Sequence, residues 1–329
     1  MDSDCDGRTG QSKFVLFHPT GFPNKSPLFQ PPMVAAITIS FRSLPSPYSV
    51  GIWEVSPVCS VGYRRSDHRA RFPSPAMAES TKAKVEVFDS EEVLAESLAK
   101  YTANLSSNFI GERGAFTIVV SGGSLIKSLR KLTESPHVDS IHWSKWHVFW
   151  VDERVVPKDH DDSNYKLAYE GFLSKVPIPP GNVYSINDAL SAEGAAHDYQ
   201  TCLKNLVKSG VLNISETRFP KFDLMLLGMG PDGHVASLFP GHELMNEKEK
   251  WVTFIKDSPK PPPERITFTF PVINSSASIA LVVAGAGKAH VVQAALGDTS
   301  QVSEKLPVQI VSPEGELTWF LDKGAASKL

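Results

Sequence analysis

Residues 222–234 read Phe-Asp-Leu-Met-Leu-Leu-Gly-Met-Gly-Pro-Asp-Gly-His. Phe222–Leu227 reads as an apolar strand that ends at Gly228. A strand apolar on both sides belongs inside a parallel sheet, with helices above and below it. Ligands of such sheets bind at the carboxyl ends of the strands, which is where this glycine turn falls. Gly228, Gly230 and Gly233 match G-x-G-x-x-G, and Asp257 follows at a spacing suited to a ribose contact, so a dinucleotide site is one reading. Pro231 and Asp232 speak against it, because an acid in the turn repels a pyrophosphate. His234 is expected at the start of a helix leading into Val235–Phe239. An imidazole there is often only a surface residue, but Asp232 and His234 together on the turn after the central strand point to catalysis.

The same alternation continues in both directions. Val85–Phe88, Phe116–Val120, His147–Val151, Val183–Ile186, Trp251–Ile255, Ile266–Phe270, Ile279–Val283, Val308–Val311 and Leu317–Leu321 read as further strands. Ser90 is a candidate N-cap, with Glu91 and Glu92 favourable against the helix dipole. Leu94, Leu98, Tyr101, Leu105 and Phe109 then form one helix face. Other helices are expected from Gly123 through Leu132, around Tyr165–Leu173, over Ala192–Lys208 and from Lys288 to Leu296. The pattern specifies a single Rossmann-like, three-layer α/β domain, with a mostly parallel central sheet and helices on both faces. The run Pro261-Pro262-Pro263 is too short for a domain linker.

Three more segments follow strands and carry polar chemistry. Ser121-Gly122-Gly123-Ser124 opens a helix, so its backbone can approach an anion closely; an ordinary tight turn reads equally well. Asp152-Glu153-Arg154 places three charges at the end of a very apolar strand, which is costly unless they are solvated, paired or bound to ligand. Arg154 has the fork geometry for a phosphate or carboxylate. Ser163 and Asn164 downstream suit either helix capping or ligand binding. Arg265 and Lys288 are further cations beside strands, and with Arg154 they could hold one phosphate, although each alone reads as a solvated charge.

Composition narrows the function. The chain has 329 residues, 33 basic against 36 acidic, and a net charge of −3, which disfavours a nucleic-acid binder. Cys5, Cys59 and Cys202 form neither a disulfide framework nor a CxxC metal pair. No apolar run reaches the roughly 18 residues of a membrane span. Ten of the 25 prolines precede residue 77, and residues 1–77 carry 8 Lys/Arg and 5 Asp/Glu, against 25 and 31 in the rest. The first segment is therefore +3 and the remainder −6.

Met33–Ala76 is Arg- and Ser-rich with only Glu54 and Asp67 as acids, the composition of an organelle transit segment. A disordered tail without function is the bland alternative. Asp2, Asp4 and Asp6 do not fit a transit segment; a start at Met33 removes them, and a start at Met77 gives a cytosolic form without a leader. Residues 1–77 are thus expected to be a disordered leader and 78–329 the catalytic domain. Ser327-Lys328-Leu329 reads as a peroxisomal address, so import receptors for both termini are expected partners.

Taken together, the four site segments resemble the 6-phosphogluconolactonase family, within the glucosamine-6-phosphate deaminase-like superfamily. The resemblance covers residues 80–323, and Gly228–Pro240 is its most discriminating stretch. After Ser121–Ser124 the family usually continues into a threonine-proline-like helix start, whereas this chain has Leu125-Ile126. The resemblance implies hydrolysis of 6-phospho-D-glucono-1,5-lactone to 6-phosphogluconate, the second step of the oxidative pentose phosphate pathway. That step is linked functionally to glucose-6-phosphate dehydrogenase. The resemblance further implies no cofactor and no metal, and a plastid-stroma location for a plant-type member. His234 matches the general base, with Asp152 and Asp232 as candidates to orient it. Arg154, Arg265 and Lys288 match phosphate-holding positions, with Ser121, Gly122, Gly123, Ser124 and Asn164 beside them. Two rivals share the fold. A deaminase-isomerase would carry an Asn-Glu-Pro segment where this chain has Ser237-Leu238-Phe239-Pro240. A non-catalytic sugar-phosphate sensor would keep the cations and lose the histidine.

Overall fold

The structure, a computed structural model, describes residues 83–297 and 305–329. The leader assigned to residues 1–77 lies outside the described residues. In chain order the strands are β1 (Lys84–Phe88), β2 (Phe116–Val120), β3 (Trp146–Trp150), β4 (Asp152–Arg154), β5 (Val183–Tyr184), β6 (Asn213–Ile214), β7 (Pro220–Lys221), β8 (Leu224–Gly228), β9 (Val252–Ile255), β10 (Arg265–Phe268), β11 (Ser278–Val283) and β12 (Glu316–Asp322). The helices are α1 (Glu91–Arg113), α2 (Ser124–Ser128), α3 (His137–Ser140), α4 (Asn164–Gly171), α5 (Ala192–Lys208), α6 (Phe270–Asn274), α7 (Ala289–Leu296) and α8 (Pro307–Ile310).

The main sheet has the order β1-β12-β11-β8-β2-β3-β5, and every neighbouring pair in it is parallel. Successive residues of its central strands enter two separate cores. Val119, Met225, Leu227, Ile279, Leu281 and Trp319 face one side, packed with Tyr199 and Leu203 of α5 and Val292 of α7. Ile118, Val120, Leu224, Leu226, Ala280 and Phe320 face the other, packed with Leu94 and Leu98 of α1 and Ala168 of α4. This is the three-layer arrangement that the continuous apolar runs specify. Ser90 caps α1 by accepting from the Val93 amide, and Gly114 ends that helix at φ +76°.

Strand order reverses beside β2. After β2 the chain adds β3 and β5 on one side, then returns to lay β8 on the other and builds β11 and β12 outward from it. Arg113, at the end of α1, pins this junction. It donates from Nε and Nη2 to the buried Asp223 carboxylate, which also accepts from the Thr117 amide at 2.7 Å. The amino ends of β2 and β8 are thereby locked in register, and their carboxyl ends open together at the switch point, the usual ligand position in such sheets.

Four expectations are corrected. Val308–Val311 is no strand: Pro307 sits in the first turn of α8, which holds Val308 in a one-turn helix. Phe270 leaves the strand and starts α6, with Pro271 in its first turn. The helix after Gly123 is α for five residues and continues as a 3₁₀ turn over Leu129–Thr133. His234 does not begin a helix; residues 234–239 form a tight turn closed by a bridge between Val235 and Leu238. Among the described residues no helix is long and apolar enough to cross a membrane.

Candidate active site

A cavity of about 220 Å³ opens at the switch point. It is lined by the turns after β2 (Ser121, Gly122, Gly123, Ser124) and β8 (Gly228–Pro231, His234), by Asp152 and Arg154 of β4, and by Asn164, Arg265 and Lys288. Eleven residues singled out from the sequence thus meet around one space, ten as its lining and Asp232 directly behind His234. A roomier groove of about 660 Å³ lies between α1 and α4, but there Glu92 is already paired with Arg130 and Lys131, and none of those residues lines it from a strand end.

The turn after β8 positions the imidazole. The Gly230 amide donates to the His234 carbonyl at 2.9 Å and the Gly233 amide to the Gly230 carbonyl at 3.0 Å, closing a small ring of backbone. Gly233 takes φ +82°, where a side chain would be strained. His234 Nδ1 lies 2.6 Å from Asp232 Oδ1, and Lys260 Nζ lies 3.1 Å from both atoms. The imidazole packs on the Phe239 ring at 4.7 Å between centroids, with the Arg265 guanidinium over that ring's surface at 5.7 Å. Burial holds the His234 pKa below its ordinary value; Asp232 opposes this, and the Lys260 ammonium adds to it. For Asp232, burial favours the neutral acid, but the His234 hydrogen bond, its charge and Lys260 outweigh it and hold the pKa at about 2.

The three charges after β3 go three ways. Asp152 Oδ2 accepts from the Ser237 hydroxyl at 2.8 Å. Glu153 turns inward, accepting from the amides of Arg154, Asn164 and Tyr165 at 2.7–2.8 Å, and burial lifts its pKa to about 7 against those donors. It therefore fastens the first turn of α4, where Ser163 is the N-cap and Asn164 donates to the Asp152 carbonyl at 3.0 Å. Asn164 Oδ1 and Arg154 Nε are buried without a partner. Arg154 stands directly opposite Arg265 in the β4–β10 register. Two guanidiniums facing each other across a ladder repel, and a shared anion relieves the repulsion. Burial, then Arg154, lowers the Arg265 pKa; burial, partly offset by Asp322, lowers that of Lys288.

Comparisons with known proteins give the family. A family model described as glucosamine-6-phosphate isomerases/6-phosphogluconolactonase matches residues 89–319. The Arabidopsis thaliana protein named 6-phosphogluconolactonase 3, chloroplastic, is 68% identical over 270 residues, 81% of this chain and 82% of its own length. The chain belongs to this family. The Oryza sativa subsp. indica protein named "Probable 6-phosphogluconolactonase 4, chloroplastic" is 72% identical over 245 residues, 74% of this chain and 76% of its own. A crystal structure of 6-phosphogluconolactonase from Thermotoga maritima superposes with a TM-score of 0.61 at 29% identity, covering 74% of this chain and 100% of that one. A monomeric glucosamine-6-phosphate deaminase, at 20% identity and a TM-score of 0.59 over 75% of this chain and 100% of that one, shares the fold alone.

Within the family frame, several sequence expectations need revision. The dinucleotide reading fails because no helix follows Gly233 to receive a pyrophosphate. Asp257 is exposed and lies 3.5 Å from the His242 imidazole. Of the two acids considered for orienting His234, Asp232 touches it, whereas Asp152 is committed to Ser237. Arg265 lines the cavity while anchored behind it: Nε and Nη2 donate to the carbonyls of Pro262, Lys260 and Pro261, and Nη1 lies 3.5 Å from Ser237 Oγ. Lys260 and Ser237 escaped the sequence reading. Lys260 lies in a proline run without motif spacing, and Ser237 reads as an ordinary turn residue.

Proposed function

We propose that this chain hydrolyses 6-phospho-D-glucono-1,5-lactone to 6-phosphogluconate, with His234 as general base. The observation that carries the reading is one cavity with an imidazole backed by a carboxylate on one wall and Arg154, Arg265 and Lys288 on the others. With Nδ1–H given to Asp232, Nε2 takes a proton from water as its oxygen bonds to C1 of the lactone. The C1–ring-oxygen bond then breaks, and the same proton passes to that oxygen to leave a hydroxyl and a carboxylic acid, which ionises. A neutral imidazole suits this work near pH 7. The facing arginines and Lys288 supply the charge that a 6-phosphate requires, and the Ser121–Ser124 turn lies beside them. Asn164 Oδ1, buried and unpartnered, suits a sugar hydroxyl. The stretch Ser237-Leu238-Phe239-Pro240 lacks the glutamate of a deaminase, and a sugar-phosphate sensor has no use for the His234–Asp232 pair. The enzyme that would feed this one makes the lactone by oxidising glucose 6-phosphate.

The test is the full chain with chelator present. It should consume the lactone faster than the lactone's spontaneous loss, and His234→Ala should lower that turnover by roughly 10²–10⁴-fold while product binding survives. Equal loss of turnover and product binding would make His234 structural.

Plastid import fits the chloroplastic names of the relatives, and residues 1–77 are the proposed transit segment. The exposed Ser327-Lys328-Leu329, with Leu329 59% accessible, is the proposed peroxisomal address, and Met77 the proposed start of a cytosolic form. A fluorescent protein fused after Leu329 should leave plastid signal alone, and one fused before Met1 should give peroxisomal signal. Identical patterns from both fusions would refute dual addressing.

A further inference from the structure

We infer that Lys260 is a positioning residue for this reaction, its ammonium holding the Asp232 carboxylate against Nδ1 of His234 from the side away from the cavity. The inference rests on His234 being the base. Lys260 Nζ, Asp232 Oδ1 and His234 Nδ1 form a triangle with sides of 3.1, 3.1 and 2.6 Å. An ammonium only donates, an ionised carboxylate only accepts, and Nδ1 can do one or the other. If Lys260 donated to Nδ1, the 2.6 Å contact would join two bare acceptors. The short contact therefore assigns the proton to Nδ1–H, donated to Asp232, and leaves Lys260 donating to Asp232 as well. Nε2 is then an unprotonated acceptor. Neither Asp232 nor Lys260 lines the cavity, so both act through the imidazole.

Lys260 is held in place from the cavity side. Arg265 Nη2 donates to its carbonyl at 2.9 Å, and Ser258 Oγ joins its amide and carbonyl in a tight loop. One arginine therefore links the cavity wall to the loop behind the base. The charged groups facing His234 are Asp232 on its own turn, Lys260 on the Ser258–Pro263 loop, Asp152 on β4, and Arg265 across the Phe239 ring. Removing the ammonium takes away a charge that disfavours imidazolium and leaves Asp232 less neutralised. Both changes favour protonation of His234, so a more alkaline pH is needed to free the base.

The experiment compares kcat/KM against pH for the full chain and for Lys260→Met, with spontaneous lactone loss subtracted. The acidic limb should move to higher pH, making the loss at pH 6 several-fold larger than the loss at pH 8, mostly in kcat, and Lys260→Arg should restore the limb. A limb that stays put or moves to lower pH overturns the inference, and so does a loss equal at every pH. Lys260→Gln serves if the Met variant is not folded. Imidazole ¹⁵N shifts of the wild-type chain give a second reading, in which a neutral Nε2–H form overturns it. His234→Gln separates the two ideas: if that variant still turns over, the base reading itself fails, whereas an inactive His234→Gln with an unmoved Lys260→Met limb sinks the Lys260 role alone.

Discussion

Gly230 shows what a single hydrogen can decide. Its backbone needs no left-handed conformation, so its requirement is steric. A Cβ there would fall on Nδ1 of His234 and against Oδ1 of Asp232. Gly230→Ala should therefore push the imidazole off its carboxylate without disturbing the sheet. A displacement near 1 Å at a reacting group can cost about 10²-fold, and that is the loss of kcat/KM expected here. The melting temperature should stay within a few degrees of wild type, because the clash is with two side chains of the turn and not with the sheet or its cores. Activity retained within threefold would mean that the pair is not needed as built. The glycine spacing was legible in the sequence, but its cause was not. G-x-G-x-x-G suggests room for a pyrophosphate, and here the second glycine makes room for a histidine that arrives four residues later.

Among the elements, those written as long apolar runs were legible, because a run apolar on both sides has one stable home. β2, β8 and β11 fall where their runs lie, and the Ser90 and Ser163 caps behave as such side chains should. Short apolar runs carry no such guarantee. Val308–Val311 has a strand's composition but follows a proline whose fixed φ suits a helix's first turn, and four residues are too few for periodicity to decide. In Asp152-Glu153-Arg154 the need for partners was legible and their identities were not. Glu153 finds three amides, two of them brought from eleven and twelve residues away by the α4 turn, and that pairing depends on tertiary contact. Lys260 was hidden for the same reason: it reaches His234 across 26 residues of sequence. No local pattern encodes that approach.

At the scale of the whole molecule, the site is separated from what holds the fold together. The cores lie within the sheet layers, while the cavity is made by turns at the strands' carboxyl ends, and nearly all of its charge is borne by a few side chains on a body whose sequence is net acidic after residue 77. Stability and ligand binding should therefore be separable. Ile279, fully buried near the amino end of β11, lies six residues before Gly285, roughly 20 Å along an extended strand. Ile279→Ala should cost about 2–5 kcal/mol through its cavity and lower the melting temperature accordingly. A bound ligand at about 100 times its Kd adds roughly 2.7 kcal/mol to the native state, worth on the order of 5–10 °C for a body of this size. Distant changes with no shared partner add, so 6-phosphogluconate should raise the melting temperature of Ile279→Ala by nearly the wild-type increment. Lys288→Ala should show the opposite pattern, with a near-normal melting temperature alone and most of the product-induced increment gone. Differential scanning fluorimetry with and without product measures both. A full increment in Lys288→Ala would remove Lys288 from the phosphate site, and a lost increment in Ile279→Ala would show that the sheet and the cavity are not independent.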